Sequence, residues 1–63
     1  MIEVYVIFLA DDLGNFDWVY TYPKPYYLDK KEAQKIVDEL IKTEHISNSK
    51  IKIRTLWKFK NNN

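Results

Sequence analysis

Few side chains of this 63-residue chain are of the types that do chemistry. The single histidine, His45, has no partner nucleophile, and the lack of cysteine excludes disulfides and thiolate metal sites within the chain. Asp11, Asp12 and Asp17 offer oxygens to a hard cation, but they surround a turn signal, where carboxylates commonly accept from backbone N–H groups. One glycine is too few for a phosphate-cradling loop. The sequence therefore predicts a non-enzyme with no cofactor and no metal.

The chemistry that remains is binding by aromatic rings and cations. Residues 45–63 contain five cations and no acid: Lys50, Lys52, Arg54, Lys58 and Lys60. Aromatic rings on a sheet stack unpaired bases while neighbouring cations hold phosphates. Two observations weigh against this interpretation. The net charge is only +1, and lysine on an edge strand also guards against edge-to-edge aggregation.

One stretch, residues 28–44, organises the rest of the chain because its spacing predicts an amphipathic helix. Its apolar residues recur every three or four positions: Ala33, Ile36, Val37, Leu40 and Ile41. Asp29 is the expected N-cap, and Glu32 three residues later completes a capping box. A helix of this length is marginal alone in water, so its apolar stripe must pack against a sheet.

The first half of the chain predicts a β-hairpin. Residues 2–9 are apolar on both alternating faces, which is typical of a central strand. Gly14 suits the left-handed position of a turn that joins Asp11 to Asn15. Continuing that register pairs Leu9 with Asp17 and therefore Phe8 with Trp18, Ile7 with Val19 and Val6 with Tyr20.

The remaining segments complete a ββαβ order. Pro23 and Pro25 end the second strand and predict a stiff connector. Residues 50–60 alternate as a half-buried strand, with one face formed by Ile51, Ile53, Thr55, Trp57 and Phe59. The sequence predicts a single α+β domain over residues 1–60 followed by a polar tail, 61–63. Its three-stranded antiparallel sheet has the order 2-1-3 and packs on one helix.

One helix covers one face of such a sheet, and we expect it to cover the aromatic one. That face holds Phe8, Phe16, Trp18, Tyr20 and Trp57. The opposite face is then an apolar patch with a charged rim, which is typical of protein contacts. The predicted contact residues are Tyr5, Ile7, Leu9, Val19 and Arg54. This interpretation predicts a non-catalytic protein-interaction module that forms a homodimer or binds another protein.

The alternative hypothesis reverses the two faces. If the aliphatic face packs on the helix, the aromatic residues remain open and single-stranded nucleic acid becomes the ligand. The residues of that site are Trp18, Tyr20, Tyr22, Lys50, Lys52, Arg54 and Lys58.

The location and the origin of the protein are inferred from its composition. No apolar run approaches the ~20 residues of a membrane span, and the N-terminus does not resemble a secretory leader, so we expect a soluble, cytoplasmic protein. A short chain rich in Lys, Ile, Asn and Tyr resembles the small proteins of phages and other mobile elements from AT-rich genomes. That resemblance implies a protein that occupies and inhibits a host target.

Overall fold

A computed structural model describes residues 2–58 and contains, in that range, three strands and one long helix. The elements are β1 (Ile2–Leu9), β2 (Trp18–Tyr20), α1 (Lys30–Thr43) and β3 (Ile51–Lys58), with a short 3₁₀ turn at Asn48–Lys50. β1 is central and pairs antiparallel with both neighbours, so the sheet order is β2-β1-β3. The predicted α+β fold, its ββαβ order and its strand arrangement are confirmed. The predicted tail, 61–63, and Phe59 lie outside the described residues.

Helix α1 begins at the predicted cap. The Asp29 carboxylate accepts a hydrogen bond from the Lys31 backbone N–H at 3.0 Å, which satisfies a donor that the first turn leaves unpaired. Glu32 does not complete the capping box through its side chain. Its carboxylate instead accepts from Lys24 Nζ at 3.1 Å, which ties the connector before the helix to its first turn.

The hairpin turn also forms as predicted. The Asp11 N–H donates to the Asn15 carbonyl at 2.9 Å, and the Gly14 N–H donates to the Asp11 carbonyl at 3.0 Å. Gly14 has a φ of +86°, a conformation that residues with a Cβ rarely adopt. The Asp11 carboxylate accepts from the backbone N–H groups of Asn15 and Leu13, and these bonds hold the pKa of Asp11 below its usual value.

Beyond the turn, the two strands of the hairpin differ from the predicted register by one residue. Between the Asp11–Asn15 pair and the next ladder pair, the first strand has one residue, Ala10, and the second has two, Phe16 and Asp17. This arrangement is a β-bulge, which inserts one unpaired residue into the second strand. Every later side chain of that strand therefore lies on the opposite face from the one predicted.

The bulge pairs Leu9 with Trp18, Phe8 with Val19 and Ile7 with Tyr20. The predicted pairing of Leu9 with Asp17 is therefore wrong. Since a one-residue slip moves every side chain to the other face, Trp18 and Tyr20 share the face of Leu9, while Val19 shares the face of Phe8.

The pairing of β1 with β3 determines which face the helix covers. Ile53 lies opposite Ile7 and shares its face, whereas Lys52 lies opposite Phe8 and Arg54 opposite Val6. The helix covers the face of Ile7 and Ile53, and the buried core cluster consists of Ile7, Tyr27, Ala33, Val37, Leu40 and Ile51. Our prediction of the helix-covered face is wrong for β1: Trp18, Tyr20 and Trp57 lie on the helix side as predicted, but Phe8 lies on the opposite side with Lys52 and Arg54. The helix cannot cover that opposite side without burying the two cations unpaired.

Tyr27 is a core residue supplied by the connector. After β2 the chain leaves the sheet and returns at Tyr27, which exchanges two backbone hydrogen bonds of 2.8 Å with Tyr5. Its side chain is 2% exposed, and burial is the main cause that raises the pKa of its hydroxyl. That hydroxyl has no hydrogen-bond partner among residues 2–58. The stiff connector predicted from the two prolines therefore also delivers a ring to the core.

Two lysine substitutions test the face assignment. Ile7 has no exposed surface, whereas Val19 on the opposite face is 44% exposed. We expect Ile7→Lys to abolish the cooperative thermal transition. An unpaired buried charge costs several kcal/mol, and the free energy of unfolding of so small a domain is about 5 kcal/mol. Val19→Lys should shift stability by less than about 0.5 kcal/mol. Circular dichroism melting curves provide the measurement. The opposite pattern, with Val19→Lys unfolded and Ile7→Lys folded, would contradict the assignment.

Candidate functional site

The residues predicted to contact a partner protein do not lie on one surface. Tyr5, Ile7 and Leu9 belong to the helix-covered face, where Ile7 is buried and the other two are half-buried against the core. Val19 and Arg54 are exposed on the opposite face. The prediction that these five residues share one surface is wrong, because β1 is apolar on both faces and its pattern does not reveal which face the helix covers.

The open face carries a row of cations, each lying over an aromatic ring. Three pairs form it: Lys52 Nζ lies 4.0 Å from the Phe16 ring centroid, Lys58 Nζ 4.2 Å from Tyr26, and Arg54 Cζ 5.0 Å from Phe8. These distances are within the range at which a cation is attracted to the face of a ring. We call this surface the cation–aromatic face.

The residues of the cation–aromatic face come from segments that reach it in different ways. The alternation of β3 directs Lys52, Arg54 and Lys58 to the same side of the sheet. Phe16 comes from the hairpin bulge, and Tyr26 comes from the connector beside Tyr27. The face therefore joins residues from four separate parts of the chain.

The side chains of this face protect the sheet beneath them. Val4 and Val6 are 4% and 6% exposed, although α1 lies on the other side of the sheet. Arg54 lies opposite Val6 and Leu56 opposite Val4 in the ladder. The stem of a long cationic side chain can cover apolar surface while its charge stays in water. We infer that the Arg54 stem shields Val6 from water in this way.

The electrostatics of the face favour an anionic ligand. The strand positions on this side carry no carboxylate; they are Ile2, Val4, Val6, Phe8, Val19, Lys52, Arg54, Leu56 and Lys58. Val19 and Leu56 remain 44% and 41% exposed. The face can therefore combine ion pairs with apolar contact, which is the composition of protein-binding surfaces.

The predicted nucleic-acid residues are likewise divided. Lys52, Arg54 and Lys58 lie on the cation–aromatic face, but Trp18 and Tyr20 lie on the helix-covered side. Lys50 Nζ donates to the Asp11 carbonyl at 3.3 Å, and Tyr22 belongs to the connector. The rings that meet the cations include Phe16 and Tyr26, which neither predicted site contained. No local sequence signal identifies them, because the bulge and the long-range register bring them there.

Among residues 2–58, no three histidine or carboxylate side chains are grouped as a metal site requires. None of the helices in that range has the length and apolar character to cross a membrane. Comparison with known protein families, curated proteins and solved structures finds no match for the chain. The function proposed below therefore rests on the geometry.

A double-mutant cycle tests the pairing of Lys52 with Phe16. Lys52→Met removes the charge and keeps the stem, while Phe16→Leu removes the ring and keeps apolar bulk. We expect a coupling free energy of about 0.5–1 kcal/mol between them, measured by urea unfolding. Lys42, an exposed residue of α1, provides the control: Lys42→Met combined with Phe16→Leu should be additive. A coupling near zero for the first pair would mean that the cation does not stabilise the ring.

Proposed function

We propose that this protein is a non-catalytic binding module whose cation–aromatic face contacts an acidic, partly apolar surface of another protein. The observation that carries the proposal is the row of three cation–ring pairs with no carboxylate at the surrounding strand positions. By occupying the surface of a host protein, the module would modulate or inhibit that protein, as its phage-like composition suggests.

The cation–ring pairs favour carboxylates as the ligand groups. Lys52, Arg54 and Lys58 each lie over a ring in the unbound protein, and Arg54 and Lys58 are exposed, so these side chains are positioned before a ligand arrives. The rings hold the stems in place, which reduces the conformational entropy that binding would otherwise remove from long side chains. A guanidinium among them adds bidentate recognition of a carboxylate.

The apolar residues on the same face support a protein partner rather than an ion or a small anion. Val19 and Leu56 are exposed on outer strands on either side of β1. Burial of these two side chains would contribute to binding a protein surface, but it would not contribute to binding a phosphate backbone. Arginine and aromatic residues are also the types enriched among residues that dominate protein-binding energy.

Single-stranded nucleic acid is the alternative ligand, and the three cations are the observation in its favour. To stack on Phe16, Tyr26 or Phe8, a base would have to displace the cation that lies over the ring. The exposed carboxylates of Asp11 and Asp12 at the hairpin tip would also repel a polyanion approaching that end. These features make nucleic acid the second choice.

Homodimerisation, predicted from the sequence, remains a prediction, but the cation–aromatic face is poorly suited to it. Two copies joined through this face would bring two sets of three like charges together. The edge of β2 contains only uncharged side chains, Trp18, Val19 and Tyr20. A homodimer would therefore be more favourable through edge pairing at β2, which leaves the cation–aromatic face free for a different protein.

Selection from a random-peptide display library tests the proposed ligand chemistry. We expect the native protein to enrich peptides in which Asp or Glu adjoins apolar residues, and the double variant Lys52→Glu/Arg54→Glu to lose that enrichment. Lys30→Glu/Lys31→Glu makes the same charge change on exposed helix positions and should keep it.

Two results would contradict the proposal. One is a peptide consensus that survives the change at Lys52 and Arg54. The other is salt-sensitive binding of a fluorescein-labelled oligothymidylate, measured by anisotropy, that disappears in the same double variant, since this would establish nucleic acid as the ligand of the face.

A further inference from the structure

A groove separates α1 from β2 on the other side of the sheet. Its volume is about 410 Å³. One wall is formed by Tyr20 and by Tyr22 and Pro23 of the connector, and the other by Ile36 and Leu40, one turn apart on α1. The groove exists because α1 packs on β1 and β3, which leaves the helix-side face of β2 only partly covered.

The charges that line this groove are all negative. Glu39 and Glu44 border it, and no lysine or arginine does so among the described residues. Neither carboxylate forms an ion pair within residues 2–58, where the ion pair of the structure joins Lys24 and Glu32. Glu39 lies in the C-terminal half of α1 and Glu44 is the C-cap, where the end of the helix dipole adds further negative potential.

We propose that this groove binds a segment of another protein in which an arginine or lysine is flanked by apolar residues. The carboxylates of Glu39 and Glu44 would pair with the cation, and the rings of Tyr20 and Tyr22 would stack against its charged group. Ile36, Leu40 and Pro23 would receive the apolar neighbours.

The aromatic wall continues beyond the groove itself. Trp18 lies two residues before Tyr20 on the same face of β2 and is 75% exposed, and Tyr22 is 74% exposed. Such exposure of large rings beside an unpaired negative rim is unfavourable in an isolated domain and typical of a binding site. An acidic segment would be repelled by both carboxylates, so charge complementarity selects the basic one.

This inference is independent of the proposed function, because the groove and the cation–aromatic face lie on opposite sides of the sheet and carry opposite charge. The native protein would thus present a basic surface to one partner and an acidic groove to another. Failure of either proposal leaves the other intact.

A titration followed by two-dimensional ¹⁵N–¹H NMR tests the groove with two probes. The first is the end-blocked peptide Leu-Arg-Leu, and the second replaces its arginine by citrulline, which keeps the shape and removes the charge. We expect saturable shifts concentrated at Tyr20, Tyr22, Ile36, Leu40 and Glu44, with affinity about fivefold weaker for the citrulline peptide.

Matched variants assign the effect to the groove carboxylates. Glu39→Gln/Glu44→Gln should lower the affinity for the arginine peptide to the affinity that the native protein has for the citrulline peptide. Asp12→Asn/Asp38→Asn removes the same charge from exposed positions outside the groove and should leave affinity unchanged. Equal binding of both peptides, or shifts spread over the surface that persist in Glu39→Gln/Glu44→Gln, would overturn the proposal.

Discussion

The cations of β3 impose the constraint on which the rest of the structure depends. Lys52, Arg54 and Lys58 all project to one side of the sheet, and that side cannot be covered by a helix without burying unpaired charge. The helix must therefore pack on Ile51 and Ile53, which select the Ile7 side of β1 through the antiparallel ladder. β1 itself does not determine which side the helix covers, because it is apolar on both faces.

A second consequence follows for the uncovered side. The apolar residues of β1 that point away from α1 still need protection from water, and residues 2–58 contain no second α-helix to provide it. Val4 and Val6 are nevertheless buried, and we infer that the side chains opposite them in the ladder, Leu56 and Arg54, cover them in part. The same side chains that shield the sheet thereby create a surface with ordered positive charge, so stability and the proposed binding have one physical origin.

Local signals in the sequence were sufficient for the elements and their order. The Asp29 cap, the helix stripe, the Gly14 turn and the doubly apolar central strand are each determined by neighbours in the chain. The sequence predicts Trp18, Tyr20 and Trp57 on the helix side correctly but places Phe8 with them, because β1 is apolar on both faces and the bulge shifts its pairing with β2 by one residue. The pairing of Phe16 with Lys52 required the bulge, which the type I turn signal does not reveal.

Methyl-based nuclear Overhauser measurements test the central claim, the choice of helix-covered face, most directly. The Ile7 methyl groups should show cross-peaks to the methyl groups of Val37 and Leu40, since all three belong to the buried cluster. The Phe8 ring should show cross-peaks to the Arg54 side chain and none to α1. Cross-peaks from the Phe8 ring to Val37 or Leu40, with none from Ile7, would contradict the account.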